Sequence, residues 1–317
     1  RNNNVAIGSN ALTSQTSNVS YCIAIGHNAL YAQNADAKNT VIGGLAGVTV
    51  AGGTENTFLG YMSGNAVSAG NSNTALGHTA YLAGTGTANT VVGGDACRGA
   101  MDGSNNTVMG HAAGMALLGG AGNVLVGKSA GTAMTTGDYN IAIGHQAADG
   151  LLGDADDNIA IGRGAIGGAL DGALSNNIAI GKNTLLSTNT AANINLAIGA
   201  DAGTTITSGT ENVLIGHNAG SAIADDDGCT AVGYNALTAS TAGANNTAIG
   251  ANCMDAAITG GANTALGAGA MGSAAADMAD NVAIGKDALV NLNHANADSN
   301  VAVGFQAGKQ TVDGSPV

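Results

Sequence analysis

The chain repeats itself at a short, nearly fixed interval, and a repeat this short leaves few folds open. A block of the form Asn-x-x-aliphatic-Gly-x-x-Ala recurs eighteen times, its glycines running from Gly8, Gly26 and Gly43 through Gly144 to Gly285 and Gly304. Successive block glycines lie 16 to 19 residues apart. A unit of that size cannot bury a core alone and must stack on its neighbours, which makes a solenoid. Nothing between Asn4 and Gly308 breaks the pattern. The sequence therefore reads as a single repeat domain, 1–317, with coils over about 4–308 and a short non-repeat tail at 309–317.

Each slot of the block has its own chemistry. The residue before the glycine is always aliphatic, and the residue two earlier is Val, Ile, Leu or Thr. Residues two apart share one face of a strand. These slots are expected to form the inward core row, with Ile7, Ile25, Ile42, Ile143, Ile161, Ile180, Ile198, Ile249 and Ile284 at its centre. The slot between them is Ala in twelve of the eighteen blocks and apolar in the rest. It is expected to face the other way, close against a neighbouring chain, because an apolar outer row marks an interface.

Four residues before the glycine stands Asn in sixteen blocks. Stacking would place Asn39, Asn56, Asn73, Asn106, Asn123, Asn140, Asn158 and Asn177 in a hydrogen-bonded ladder with steps of ~4.8 Å. The block glycine permits a tight turn. The Ala three residues later is expected to start a second short strand, and a looser, length-variable turn closes the coil. Two strands in about seventeen residues suit a flattened two-sided β-roll, all-β and parallel, of about 18 coils.

Composition excludes several alternatives. Glycine accounts for 52 residues without falling at every third position, so collagen is ruled out. An apolar fraction of 45% with 9% charged residues argues against disorder. The net charge of −13 opposes a nucleic-acid partner. No run of about 18 apolar residues is present to span a membrane. The start at Arg1 rather than Met reads as processing or as a segment of something longer. Cys22, Cys97, Cys229 and Cys253 form no CxxC pair and read as small buried hydrophobes, with no metal site.

Chemistry-bearing side chains gather in the slot after the block glycine. His27, Tyr61, His78, His111, His145, Arg163, Lys182, His217 and Tyr234 all occupy it. Aromatic and cationic groups in a row form a candidate edge for contact with surface glycans or a receptor. The loose-turn edge is acidic, with Asp154, Asp156, Asp157, Asp225, Asp226 and Asp227, and reads as solvated charge because it lacks calcium-loop spacing. No nucleophile–base set, phosphate loop or paired carboxylates stand out, so neither enzyme activity nor a cofactor is expected.

The blocks NNVAIGSNAL, NNTAIGANCM and DNVAIGKDAL resemble the head repeats of trimeric autotransporter adhesins, and also repeats of phage tail fibres. The resemblance covers Asn4 to Gly308. It implies a left-handed parallel β-roll, association of three chains, and a place outside the cell, on a cell surface or virion fibre. The function it implies is attachment to a host or surface. The alternative is a purely structural extracellular filament, its subunits meeting end to end without a receptor site.

Overall fold

The computed structural model describes residues 3–14, 19–34, 37–168, 174–187, 192–239, 243–256, 259–273, 277–292 and 297–309. Most of the expected tail at 309–317 lies outside the described residues. Among the described residues every regular element is a strand and there is no helix. Contacts divide the chain into two units, Arg1–Asp157 and Asn158–Val317.

Each unit is a parallel β-solenoid, with nine block strands among its described residues. One three-residue strand per coil covers the Val/Ile/Thr-x-aliphatic stretch, from Val5–Ile7 to Ile141–Ile143 in the first unit and from Ile159–Ile161 to Val301–Val303 in the second. Neighbouring strands pair parallel and in register, Thr57 with Thr74 and Leu59 with Leu76, for example. Register follows the repeat because one block glycine sits on the next. Gly110 has φ +138°, and a Cβ built on it would lie 2.3 Å from the carbonyl oxygen of Gly127. Only a residue without a side chain fits both the conformation and the gap.

The inward face of the strand is the opposite of the one expected. Ala24, Ala142, Ala160 and Ala179 are completely buried, whereas Ile7 is 58% exposed, Ile143 39% and Ile180 36%. Ile249 is also exposed, and Ile25, Ile42, Ile161, Ile198 and Ile284 are half-buried on the outer face. The asparagine explains the inversion. Asn39 Nδ2 donates across its own coil to the carbonyl of Gly53 at 2.9 Å, and Asn56 Nδ2 does the same to Gly70 at 2.8 Å. That bond turns the asparagine inward. With a side-chain period of two, the alanine slot turns inward with it and both aliphatic slots turn outward.

The asparagine oxygens then tie one coil to the next. Asn39 Oδ1 accepts the backbone N–H of Asn56 at 2.7 Å, and Asn56 Oδ1 accepts that of Asn73 at 2.9 Å. The same bond runs from Asn123 to Asn106, from Asn140 to Asn123 and from Asn177 to Asn158. Amide-to-amide contacts accompany it, at 3.1 Å for both Asn106–Asn89 and Asn123–Asn106. Each amide therefore closes its own coil and receives the following one, which satisfies polar groups that burial would otherwise strand.

The expected second strand is mostly replaced by turn. Among the described residues only Ala66–Val67 and Ala83–Gly84 pair as strands on that side. The second and fourth residues after the block glycine are left-handed in these two coils as in the others, Met62 at φ 55° and Asn28 at φ 54° for example, which confines any extended run to the residues beyond them. The backbone still bonds from coil to coil there, Leu30 N–H to Ala46 O at 3.0 Å and Ala32 N–H to Val48 O at 2.9 Å.

Candidate functional site

The turn that follows each block glycine sets the direction of its side chains. The glycine and the left-handed residue two places on turn the chain sharply. The alanine three places on is buried, as Ala29, Ala80 and Ala113 are. The residue directly after the glycine is left at the tip. His27, Tyr61, His78, His111 and His145 in the first unit are all exposed there, as are Arg163, Lys182, His217 and Tyr234 in the second.

Stacking of coils brings some of these side chains together. The rings of Tyr61 and His78 stack with centroids 5.5 Å apart and planes 20° from parallel. His217 and Tyr234 stack at 5.7 Å and 25°. Both pairs lie on consecutive coils, so the ring spacing follows the strand spacing of about 4.8 Å, within the range of aromatic contact. His111 is linked to the first pair through a carboxylate. Asp95 Oδ1 accepts the Thr79 hydroxyl at 2.6 Å, and its Oδ2 lies 4.0 Å from His111 Nε2. Arg98 Nε lies 3.9 Å from Asp95 Oδ1. The Thr79 hydrogen bond, with help from Arg98, His78 and His111, holds the Asp95 carboxyl below the usual carboxylate range.

Asp95, Thr79 and Arg98 did not stand out in the sequence. The first two occupy the slot two after the glycine, where Asn10 and Asn28, Asn183 and Asp201, and Asn218 and Asn235 also hydrogen-bond from coil to coil at 3.1 to 3.2 Å. Polar residues recurring in this slot at the coil period are the signal that could have marked a second, outer ladder.

Two coils leave the tip slot empty with glycine. A Cβ on Gly44 would lie 3.6 Å from Tyr61 Cδ2, and one on Gly94 would lie 3.8 Å from His111 Cδ2. Both are ordinary contacts, and neither glycine has the positive φ that a side chain resists.

On the loose-turn edge the carboxylates act as caps. Asp102 Oδ1 accepts both the N–H and the hydroxyl of Thr85, at 2.9 and 2.8 Å. Asp227 does the same for Thr210 at 2.7 and 2.9 Å. Asp225 accepts from Thr207 and Ser208, which lower its pKa. Among the described residues no group of three His, Cys, Asp or Glu side chains could hold a metal ion, and no helix is long and apolar enough to cross a membrane. All four cysteines are free and buried.

Compared with known proteins, the chain matches no family model and no curated sequence.

Proposed function

We propose that the chain is a structural and adhesive module of an extracellular fibre, of the kind found in bacterial adhesin heads or phage tail fibres. It attaches to a host or surface through the turn edge that follows the block glycines. The observation that carries this reading is the row of exposed aromatic, imidazole and cationic side chains at that edge of each unit, with one stacked pair in each. Groups repeated at the coil spacing give many weak contacts that add through multivalency. The ligand class is surface glycan, since ring faces and charged tips suit sugar C–H and hydroxyl groups.

Self-association belongs to the same reading. The outer strand face carries aliphatic rows, with Leu59, Leu76, Met109 and Ile143 exposed. Contiguous apolar rows of this kind are a favourable surface for chain-to-chain contact. Three chains packed through these rows form the fibre, with the tip rows left outward.

Glycan-array binding before and after alanine replacement of His27, Tyr61, His78, His111, His145, Arg163, Lys182, His217 and Tyr234 tests the reading. Binding that is lost supports it, and unchanged binding refutes it. A second reading, a purely structural filament subunit, is favoured by the aliphatic rows alone. It requires that the unaltered chain bind no glycan while still assembling.

A further inference from the structure

The tip row of the first unit has rungs, and one rung is missing between two imidazoles. Tyr61 and His78 occupy adjacent rungs at 5.5 Å. The next coil presents Gly94 and leaves its rung bare, and the coil after that presents His111. His78 and His111 are thus two coils apart, about 9.6 Å by strand spacing. The His111 ring leans toward the bare rung: an atom where a Cβ on Gly94 would stand lies 3.8 Å from His111 Cδ2, an ordinary contact, and meets no other heavy atom within 4 Å beyond its chain neighbours.

The bare rung also has a polar wall. Asp95 follows Gly94 directly, and Arg98 lies on the same coil. The Thr79 hydroxyl takes up one carboxylate oxygen of Asp95 at 2.6 Å. An ionised carboxylate offers about four lone-pair sites, so it can accept more. Arg98 can only donate. Arg98 Nε already lies 3.9 Å from Asp95 Oδ1, so a group that joins this pair must donate to the carboxylate and accept from the guanidinium at adjacent positions, as vicinal hydroxyls do.

We propose that the gap at Gly94 binds one neutral pyranose unit, held between the imidazoles of His78 and His111 with a hydroxyl donating to Asp95. The inference rests on reading this edge as the glycan-contact edge, and it names the sugar class and the place. The charge of Asp95 excludes sialic and uronic acids, whose carboxylates would face it. The Thr79 hydrogen bond, with Arg98 and the two imidazoles beside it, favours the charged form of Asp95. The gap at Gly44, between His27 and Tyr61, has similar walls, but Leu45 stands where Asp95 does. It lacks the carboxylate and is the built-in control.

The test is titration of the unaltered chain with methyl β-D-galactopyranoside, methyl β-D-glucopyranoside and sialyllactose, read by the imidazole proton resonances of the histidines. The expected result is a saturable shift at His78 and His111 with at least one neutral glycoside, none at His27, and none with sialyllactose. Gly94→Tyr places in this slot a side chain that Tyr61 and Tyr234 already carry there, so the fold is kept. It should reduce binding at least tenfold, while Gly44→Tyr leaves it unchanged. Asp95→Asn should weaken binding with the stack intact. Glycoside binding that survives Gly94→Tyr overturns this site and leaves the wider edge reading standing. Failure of both neutral glycosides to shift His78 and His111 at millimolar concentration overturns the site even if an array shows glycan binding elsewhere on the edge.

Discussion

The ring of Phe58 fills the space that a side chain at Gly64 would need: a Cβ there would lie 2.4 Å from Phe58 Cδ2. The two slots trade volume in many of the coils. Leu125 faces Gly131 and Leu214 faces Gly220, with Cβ clashes of 2.9 and 2.6 Å. Where the strand slot shrinks to alanine, the turn slot generally grows, as in Ala24 with Leu30, Ala75 with Tyr81 and Ala160 with Ile166, all fully buried. Close packing drives the trade, because a coil this narrow admits neither a void nor an overlap. Where both slots are small, as in Ala197 with Gly203, the side chains of Leu185, Leu214 and Ile206 reach the space instead.

This trade predicts a coupled pair. Phe58→Ala alone should cost about 3–5 kcal/mol through the cavity it leaves. Gly64→Leu alone should cost at least about 1–3 kcal/mol by overpacking. The double variant copies the Ala24–Leu30 coil and should be less destabilised than the sum, with coupling of about 0.5–3 kcal/mol. Urea unfolding of all four chains measures it, and strict additivity would show that the two slots do not share space.

The asparagine slot should tolerate only a residue that can both donate and accept. Asn106 Oδ1 receives the Asn123 N–H at 2.9 Å and Asn106 Nδ2 donates to Gly120 O at 2.8 Å. Asn106→Ala strands both partners and should cost about 1–3 kcal/mol for each. Asn106→Cys should cost less. Cys229 already fills this slot, its N–H bonded to Asn212 Oδ1 at 2.8 Å and its Sγ to Gly243 O at 3.4 Å. Equal thermal shifts for the two variants would contradict this account.

The two faces of one strand should respond in opposite ways to a charge. Ala142→Asp puts a carboxylate into the coil interior and should abolish folding or destabilise the chain by several kcal/mol. Ile143→Asp points outward, so circular dichroism should keep the β signature. Light scattering should report three chains before this change and fewer after it. Unfolding by Ile143→Asp together with tolerance of Ala142→Asp would reverse the assignment of the faces.

The buried thiols should be inert in the native state. Burial pushes Cys229 up to about 11 and Cys253 up to about 12, and raises Cys97 further still. The thiolate is the reactive form, and at pH 8 these groups hold almost none. A thiol reagent should label none of them until denaturant is added and all four afterwards. Rapid native labelling at Cys97 or Cys253 would show that the coils open locally.

Asp149 should be a weak point at neutral pH. Burial raises its pKa above the ordinary value, and its Oδ1 has no hydrogen-bond partner. The folded chain therefore holds this proton more tightly than the unfolded one, whose value is about 3.9. Stability falls as pH rises from that value through the raised folded value, and the penalty is fully present above it. Asp149→Asn should melt higher than the parent at pH 7, and the difference should disappear below about pH 3.9. A difference that stays constant with pH would point to packing instead of charge.

Much of this architecture was legible in the sequence because stacking multiplies one local rule. The glycines could be read as turns, since Gly43 and Gly60 recur at a period no other fold needs. The parallel, in-register strands follow from the same spacing. The asparagine slot was legible as a ladder, because a side-chain amide can bond to its own copy one coil away. The tip row was legible too, since His78, His111 and Tyr61 share one offset from the glycine. The role of Asp95 was not. Its partners Thr79 and His111 are each one coil away, and nothing local marks it.

The sequence by itself determined the period, the parallel stacking and the residues that share a slot. Only the tertiary structure decided which side of the strand is inside. In Ile141-Ala142-Ile143 both faces are apolar, so hydrophobicity does not choose between them. The choice is made across the coil, where Asn140 Nδ2 reaches the Ala155 carbonyl at 2.6 Å and the alanine two residues on packs in the narrow interior beside it. An amide that must close the coil turns the slot two residues on inward with it, and the two aliphatic slots outward.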